Sequence, residues 1–254
     1  MKFVIEARDI KKIFKAGIYY TTVLRDIDLD VAKGEFVIML GPSGAGKSTF
    51  LNIVLGLEDA ESGYVKIFGK NILELQEQEK TRLRRNKFGV IYQQANWIKS
   101  LNVIENVAFP LIIRGESVRK ATNEASKKLE LMNMYKLSKQ HPLELSGGQQ
   151  QKVSLARALV TDPEIIVGDE PTGNLDTESG YELMNILKAL SVYHGKTILV
   201  VTHNNLYKKY ADELLMIENG LSKERKKSGR KALDEAKKGL DALNKKYGPD
   251  EVKI

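Results

Sequence analysis

Gly41-Pro-Ser-Gly-Ala-Gly-Lys-Ser48 follows the apolar run Phe36 to Leu40 and precedes the apolar segment Thr49 to Leu57. It matches G-x-x-x-x-G-K-S/T in the context that gives this pattern meaning: a buried strand, a glycine-rich loop, then a helix. Gly41, Gly44 and Gly46 let the backbone wrap an anion, because glycine tolerates positive φ. The loop N–H groups and the helix N-terminus point at that anion. Lys47 supplies a mobile charge for β- and γ-phosphates, and the Ser48 hydroxyl is a candidate Mg²⁺ ligand. The candidate nucleotide-binding segment is Gly41, Pro42, Ser43, Gly44, Ala45, Gly46, Lys47, Ser48 and Thr49.

A second element lies 122 residues after Lys47, where Ile165-Ile-Val-Gly-Asp-Glu170 ends an apolar strand in two carboxylates. Such a strand delivers them to the carboxyl edge of the sheet, beside the phosphate loop. Asp169 is a candidate Mg²⁺ ligand through water, and Glu170 a candidate general base that polarises the attacking water. The third element, Leu145-Ser-Gly-Gly-Gln149, runs into Gln150, Gln151 and an apolar helix. It reads as a second anion site at a helix N-terminus. One nucleotide needs one such loop, so the second suggests a grip on a nucleotide held by another copy of the chain.

Around these motifs the chain alternates between strand and helix patterns. Strand candidates are Phe3 to Ile5, Leu24 to Val31, Phe36 to Leu40, Tyr64 to Phe68, Phe88 to Tyr92, Ile165 to Val167, Thr197 to Val201 and Glu213 to Ile217. Helical spacing marks Thr49 to Leu57, Thr122 to Met134, Val153 to Val160, Tyr181 to Leu190 and Leu206 to Tyr210. The alternation predicts an α/β fold with a mainly parallel sheet.

The 254 residues are 42% hydrophobic and 29% charged, which excludes a fibrous or largely unfolded chain and suffices for a sizeable core. There is no cysteine, which excludes disulfides, iron–sulfur clusters and thiolate zinc, and three histidines make a histidine metal cage a poor reading. The longest apolar runs fall far short of the roughly 18 to 20 residues a membrane span requires. Met1 to Asp9 is charged throughout, unlike a signal peptide. A cytoplasmic location is expected, with any membrane work done through a partner. The net charge of +7 concentrates in the tail: residues 222–254 hold 11 basic and 6 acidic groups, the remainder 29 and 27. The body therefore lacks the field of a nucleic-acid binder. Within the tail, Ser222 to Gly229 reads as a basic linker. Lys231 to Tyr247 carries Leu233, Ala236, Leu240, Leu243 and Tyr247 on one stripe, an amphipathic helix or flexible tail.

The three motifs stand in the order and spacing of an ABC ATPase, and the resemblance covers residues 1 to 221. Further elements resemble that family. Gln93 resembles the Q-loop glutamine, Gly173-Asn-Leu-Asp176 the D-loop, and His203 the switch histidine. Phe14 stands where the family places an aromatic that stacks on adenine. The resemblance implies a P-loop ABC ATPase domain with a mainly parallel core sheet, an N-terminal antiparallel β subdomain and a helical subdomain at about 95–160. It implies ATP and Mg²⁺ as ligands, with Ser48, Gln93 and Asp169 at the metal and Lys47, Gln93, Glu170 and His203 in catalysis. It further implies a head-to-tail dimer in which Ser146, Gly147, Gly148, Gln149 and Asp176 of one copy meet ATP bound to the other. The segment from Gln93 to about Pro110 would carry motion to a membrane subunit.

Gly168 to Asp176, Leu145 to Gln151 and Val103 to Val107 look most like the group serving lipoprotein release, macrolide export and cell division. Its permeases have few spans and an extracytoplasmic domain, which puts the chain on the inner face of the cell membrane. Two residues depart from the group's pattern: Gly168, expected to loosen the strand end, and Asn204, where Asp is common. The alternative is a soluble ABC ATPase of DNA repair, chromosome structure or translation. Against it stand the short Lys47–Asp169 spacing, the missing cysteines and the single cassette. A scaffold that binds nucleotide without turnover is the third reading, opposed by Glu170 and His203.

Overall fold

A computed structural model describes residues 3–227. The chain opens with two long antiparallel strands, β1 (Phe3–Ala16) and β2 (Tyr19–Ala32), and continues to β3 (Phe36–Leu40). Helix α1 (Lys47–Val54), β4 (Ser62–Ile67) and β5 (Lys70–Asn71) follow. Then come α2 (Glu77–Lys87) and β6 (Phe88–Tyr92), and three helices, α3 (Val103–Ile113), α4 (Val118–Leu131) and α5 (Gly147–Leu159). The last part comprises β7 (Ile165–Asp169), α6 (Thr177–His194), β8 (Thr197–Thr202), β9 (Glu213–Glu218) and β10 (Leu221–Lys227).

Two sheets form. One is antiparallel, ordered β2-β1-β4-β5; the other is ordered β10-β9-β3-β8-β7-β6. In the second, β9, β3, β8, β7 and β6 are mutually parallel and only β10 runs antiparallel. Its central strand β3 is buried on both faces, as a covered parallel strand must be. Phe36, Ile38 and Leu40 pack toward α3, α5 and α6, whereas Val37 and Met39 pack toward α1, β1 and β2. The motif loops therefore leave the carboxyl ends of β3, β7 and β8 along one edge, where parallel α/β sheets bind ligands.

Most differences from the sequence reading are extensions. Helix α5 starts at Gly147 rather than Val153, because the Ser146 hydroxyl caps it. The segment 205–210 is a 3₁₀ helix, not an α-helix. β1 and β2 are far longer than the apolar runs that mark them, since their outer halves are a two-stranded ribbon with bulged register. The linker expected from Ser222 is instead strand β10 as far as Lys227, paired with β9. Asn219 and Gly220 both take positive φ (51° and 73°), the two-residue turn that matches strand twist. Gly168 does not loosen its strand: it sits in β7 with β6 and β8 on either side. A Cβ there would lie 3.0 Å from Pro171 Cγ, so the glycine makes room for the proline. The Lys231 to Tyr247 stripe lies outside the described residues. Among the described residues no helix is long and apolar enough to cross a membrane.

Candidate functional site

Each charged group of the phosphate loop region is placed by a strand end. Lys47 is the first residue of α1 and is 6% exposed. Its Nζ donates to the carbonyls of Gly41 and Pro42, both at 2.9 Å, and lies 3.6 Å from Glu170 Oε1. The lysine thus folds back onto the first carbonyls of the ring that its loop makes. Gly44 and Gly46 hold φ of 78° and 96°, the left-handed geometry that closes this ring.

Ser48 Oγ donates to Asp169 Oδ1 at 2.8 Å, joining the loop to the end of β7. Burial raises the Asp169 pKa above the usual carboxylate range; Ser48 and Lys47 oppose this, and the neighbouring Glu170 adds to it. Glu170 leaves β7 with φ 46°, a left-handed conformation that costs a non-glycine residue energy at the end of the strand. There it has three partners. His203 Nδ1 meets Oε1 at 2.9 Å, Thr202 Oγ1 donates to Oε2 at 3.0 Å, and Lys47 supplies the opposing charge. Lys47, Ser48, Asp169, Glu170 and His203, distant in sequence, therefore form one connected cluster.

Thr202 belongs to this cluster, although no motif marks it. A hydroxyl closing the apolar run Thr197 to Val201 was the available signal. Its Oγ1 also accepts from Asn204 N at 3.1 Å, and Asn204 Oδ1 accepts from Leu206 N at 3.0 Å. Asn204 thus caps the 3₁₀ turn, a task asparagine and aspartate share.

Gln93 follows β6. Its side chain lies against Gly173, where a Cβ would come within 2.7 Å of Nε2. Gly173 N in turn donates to Glu170 O, which sets Gln93 beside the turn carrying Glu170. The backbone after Gln93 is strapped to α5. Gln151 Nε2 donates to Tyr92 O and Gln93 O, Trp97 Nε1 to Gln150 Oε1, and Arg157 to Ala95 O. Desolvation pushes the Arg157 guanidinium down to about 10. A groove of about 530 Å³ opens between Gln93, Trp97, Leu143, Gly147, Gln150 and Asn174.

Ser146 to Gln149 form a different arrangement. Ser146 Oγ accepts from Gln149 N at 3.4 Å while Ser146 N donates to Gln149 Oε1 at 2.9 Å, a reciprocal cap. The neighbours of Gly147 and Gly148 are Asn174 and Ser179. Asp176 caps α6, accepting from Ser179 N at 2.9 Å and Ser179 Oγ at 2.8 Å, bonds that lower its pKa. Ser146, Gly147 and Asp176 are exposed. The two helix N-termini read as anion sites thus belong to separate elements, α1 and α5. Phe14 sits on the outer ribbon, 40% exposed, with Lys12 Nζ 5.1 Å from its ring centre.

The oxygen donors fit a hard divalent cation: a hydroxyl and a half-buried carboxylate converge at Ser48 and Asp169. No group of three or more His, Cys, Asp or Glu that could hold a metal occurs among the described residues. Such an ion would therefore draw further ligands from phosphate oxygens and water.

Known proteins resemble this chain over most of its length. Residues 24–173 match the family model described as ABC transporter. The ABC transporter ATP-binding protein MJ1508 of Methanocaldococcus jannaschii is 42% identical over 85% of this chain and 96% of its own length. The macrolide export ATP-binding/permease protein MacB of Mannheimia succiniciproducens is 41% identical over 85% of this chain and 34% of that longer protein. The lipoprotein-releasing system ATP-binding protein LolD of Zymomonas mobilis is 37% identical, with 85% and 94% covered. Among solved structures, the dimeric post-hydrolysis state of the ATP-binding cassette MJ0796 bound to ADP and Pi superposes with a TM-score of 0.83. It is 35% identical and covers 88% of this chain and 98% of that one.

Proposed function

The chain belongs to the ABC transporter family and is an ATP-hydrolysing P-loop subunit, and we propose that two copies close head to tail on ATP to drive a separate membrane subunit. The observation that carries this is the connected cluster Lys47–Glu170–His203 beside Ser48–Asp169. Lys47 exchanges its carbonyl and Glu170 contacts for the β- and γ-phosphates. Losing the lysine frees Glu170 to accept a proton from the attacking water. His203 and Thr202 keep its carboxylate oriented while this happens. Ser48 and Asp169 hold Mg²⁺, which when bound neutralises charge on the phosphate oxygens. Gln93 senses the same site and Phe14 stacks on the base.

Ser146, Gly147, Gly148, Gln149 and Asp176 serve the nucleotide of the partner copy. Two subunits then share one γ-phosphate, and its loss after hydrolysis weakens their interface. The names of two relatives, a lipoprotein-releasing system protein and a macrolide exporter, support a membrane partner of the lipoprotein-release and macrolide-export group. That partner has few spans and an extracytoplasmic domain, and the chain lies on its inner face.

Glu170→Gln tests both halves of this reading. It should lower hydrolysis by about 10²–10⁴-fold and accumulate an ATP-bound dimer by light scattering. Turnover at the parent's rate would remove Glu170 as the base. The tagged variant, purified from solubilised membranes with ATP and Mg²⁺, should bring down a stoichiometric integral membrane protein. Recovery as a homodimer alone, or with nucleic acid or ribosomes, would move the function to the soluble alternative.

A further inference from the structure

The two ends of the phosphate loop rest on backbone carbonyls, and both carbonyls connect to the C-terminal hairpin. At the loop's start, a Cβ on Gly41 would lie 2.1 Å from the carbonyl oxygen of Ile217, the penultimate residue of β9. At its end, a Cβ on Gly46 would lie 2.8 Å from the carbonyl oxygen of Val23 and 2.6 Å from Leu24 Cδ2, both on β2. Neither position has room for a side chain, so both are close backbone approaches.

Val23 is itself held from behind. A Cβ on Gly220 would lie 2.3 Å from the same Val23 oxygen. Arg25 N donates to Gly220 O at 2.7 Å, fixing the Asn219–Gly220 turn to β2. Farther along β10, Arg225 pairs with Glu213 of β9 and with Asp30 of β2, and Arg8 of β1 binds that Asp30 at 2.7 Å. The hairpin therefore meets the loop directly through Ile217 and Gly41, and indirectly through Gly220, Val23 and Gly46.

We propose that the β9–β10 hairpin is a positioning element of the nucleotide site, with Gly220 setting the place of Val23 and so the end of the phosphate loop. This rests on reading that loop as the nucleotide site. Loop N–H groups bind phosphate only while their directions converge, so a shift of a few tenths of an ångström at Gly46 changes affinity before it changes the fold. None of the hairpin residues is among those read as nucleotide ligands.

The test compares two glycine variants. Gly220→Ala meets Val23 O and a positive φ of 73°; Gly195→Ala, at the end of α6, meets a positive φ of 62° and open space. Both lose thermal stability. Only Gly220→Ala should weaken ATP binding, by about tenfold, as a small misplacement far from the chemistry can. Without nucleotide, amide exchange across 41–48 should quicken in Gly220→Ala and stay at the parent's rate in Gly195→Ala. Parental affinity and exchange in Gly220→Ala would overturn the proposal, as would an equal loss of affinity in Gly195→Ala. If Gly220→Ala does not fold, Arg225→Ala leaves the turn intact and should give a smaller change of the same kind; no change overturns the proposal. If the parent itself binds no ATP while the exchange contrast holds, the nucleotide reading fails and the seating of the loop stands.

Discussion

Two helix N-termini in this chain carry glycine-rich anion motifs, and they are built in opposite ways. At α1 the charged groups turn inward: Lys47 is buried beside Glu170, which also binds Thr202 and His203, and Ser48 bonds Asp169 next to them. At α5 the groups turn outward: Ser146 and Gly147 are exposed, and the polar atoms of Ser146 and Gln149 cap one another. The first gathers most of the proposed catalytic groups within one chain. The second is a rigid surface with nothing of its own to act on. On the function proposed above, a chain that makes both in one fold has half of two sites rather than two sites, and pairing two copies would complete them.

The strongest way to break this comparison is to disable each half separately. Lys47→Ala removes the inward half, and Gly148→Asp sets a negative charge on the outward one. Each alone should lose ATP hydrolysis by about a hundredfold, the scale of a charged hydrogen bond or more. Mixed one to one, half of the dimers combine the two variants and each of these holds one intact site, so about a quarter of the parent's rate returns. A mixture no faster than its components would show that the α5 motif acts within its own chain.

The contrast extends to the segment between the two halves. Gln150, Gln151 and Arg157 of α5 hold the backbone from Tyr92 to Ala95 and Trp97, so the outward half is tied to Gln93. Arg157→Ala would remove a largely desolvated cation and leave the Ala95 carbonyl without that donor. It should destabilise the fold by about 1–3 kcal/mol and quicken amide exchange across 93–97 while exchange across 41–48 stays at the parent's rate. Parallel exchange changes in both segments would mean that the halves are not mechanically separate.

Which of these features the sequence announces follows from how local each is. Gly41 to Ser48, Asp169–Glu170 and Leu145 to Gln149 are contiguous and sit at strand or helix ends, so spacing alone exposes them. Arg157 is invisible because a single arginine in an apolar helix reads as an exposed face; its carbonyl partners lie some 60 residues away. β10 is a different case. Asn219-Gly220 is a strong hairpin signal, but Ser-Lys-Glu-Arg-Lys-Lys after it looks like a solvated linker. Only the pairing of Arg225 with Glu213 and Asp30 explains why so charged a segment is a strand. The outer halves of β1 and β2 escape notice for a related reason. Their tips, 14–16 and 19–21, have no buried residue, so alternation has nothing to register there.

The smallest effect, and the sharpest test of the inward–outward contrast, lies in two aspartates seven residues apart. Burial raises the pKa of Asp169, so its charged form is a cost that the folded protein carries above the ordinary carboxylate pKa of about 3.9. That cost is relieved as pH falls and the folded Asp169 takes up its proton. Backbone N–H donation from Ser179 lowers the pKa of Asp176, so its charge stabilises the fold above the unfolded value and is lost as pH falls through the folded one. Asp169→Asn should therefore raise the thermal midpoint at neutral pH while abolishing turnover, a gain that fades where the parent's Asp169 protonates. Asp176→Ala should lower the midpoint at neutral pH, and that gap should close below about pH 3.9. Midpoints from pH 3 to 8 would read both curves. If both variants shifted the same way, the carboxylate at the end of β7 would be structural like the cap on α6. Opposite signs would mean that the fold keeps Asp169 at its own expense, as expected of a group retained for chemistry rather than for stability.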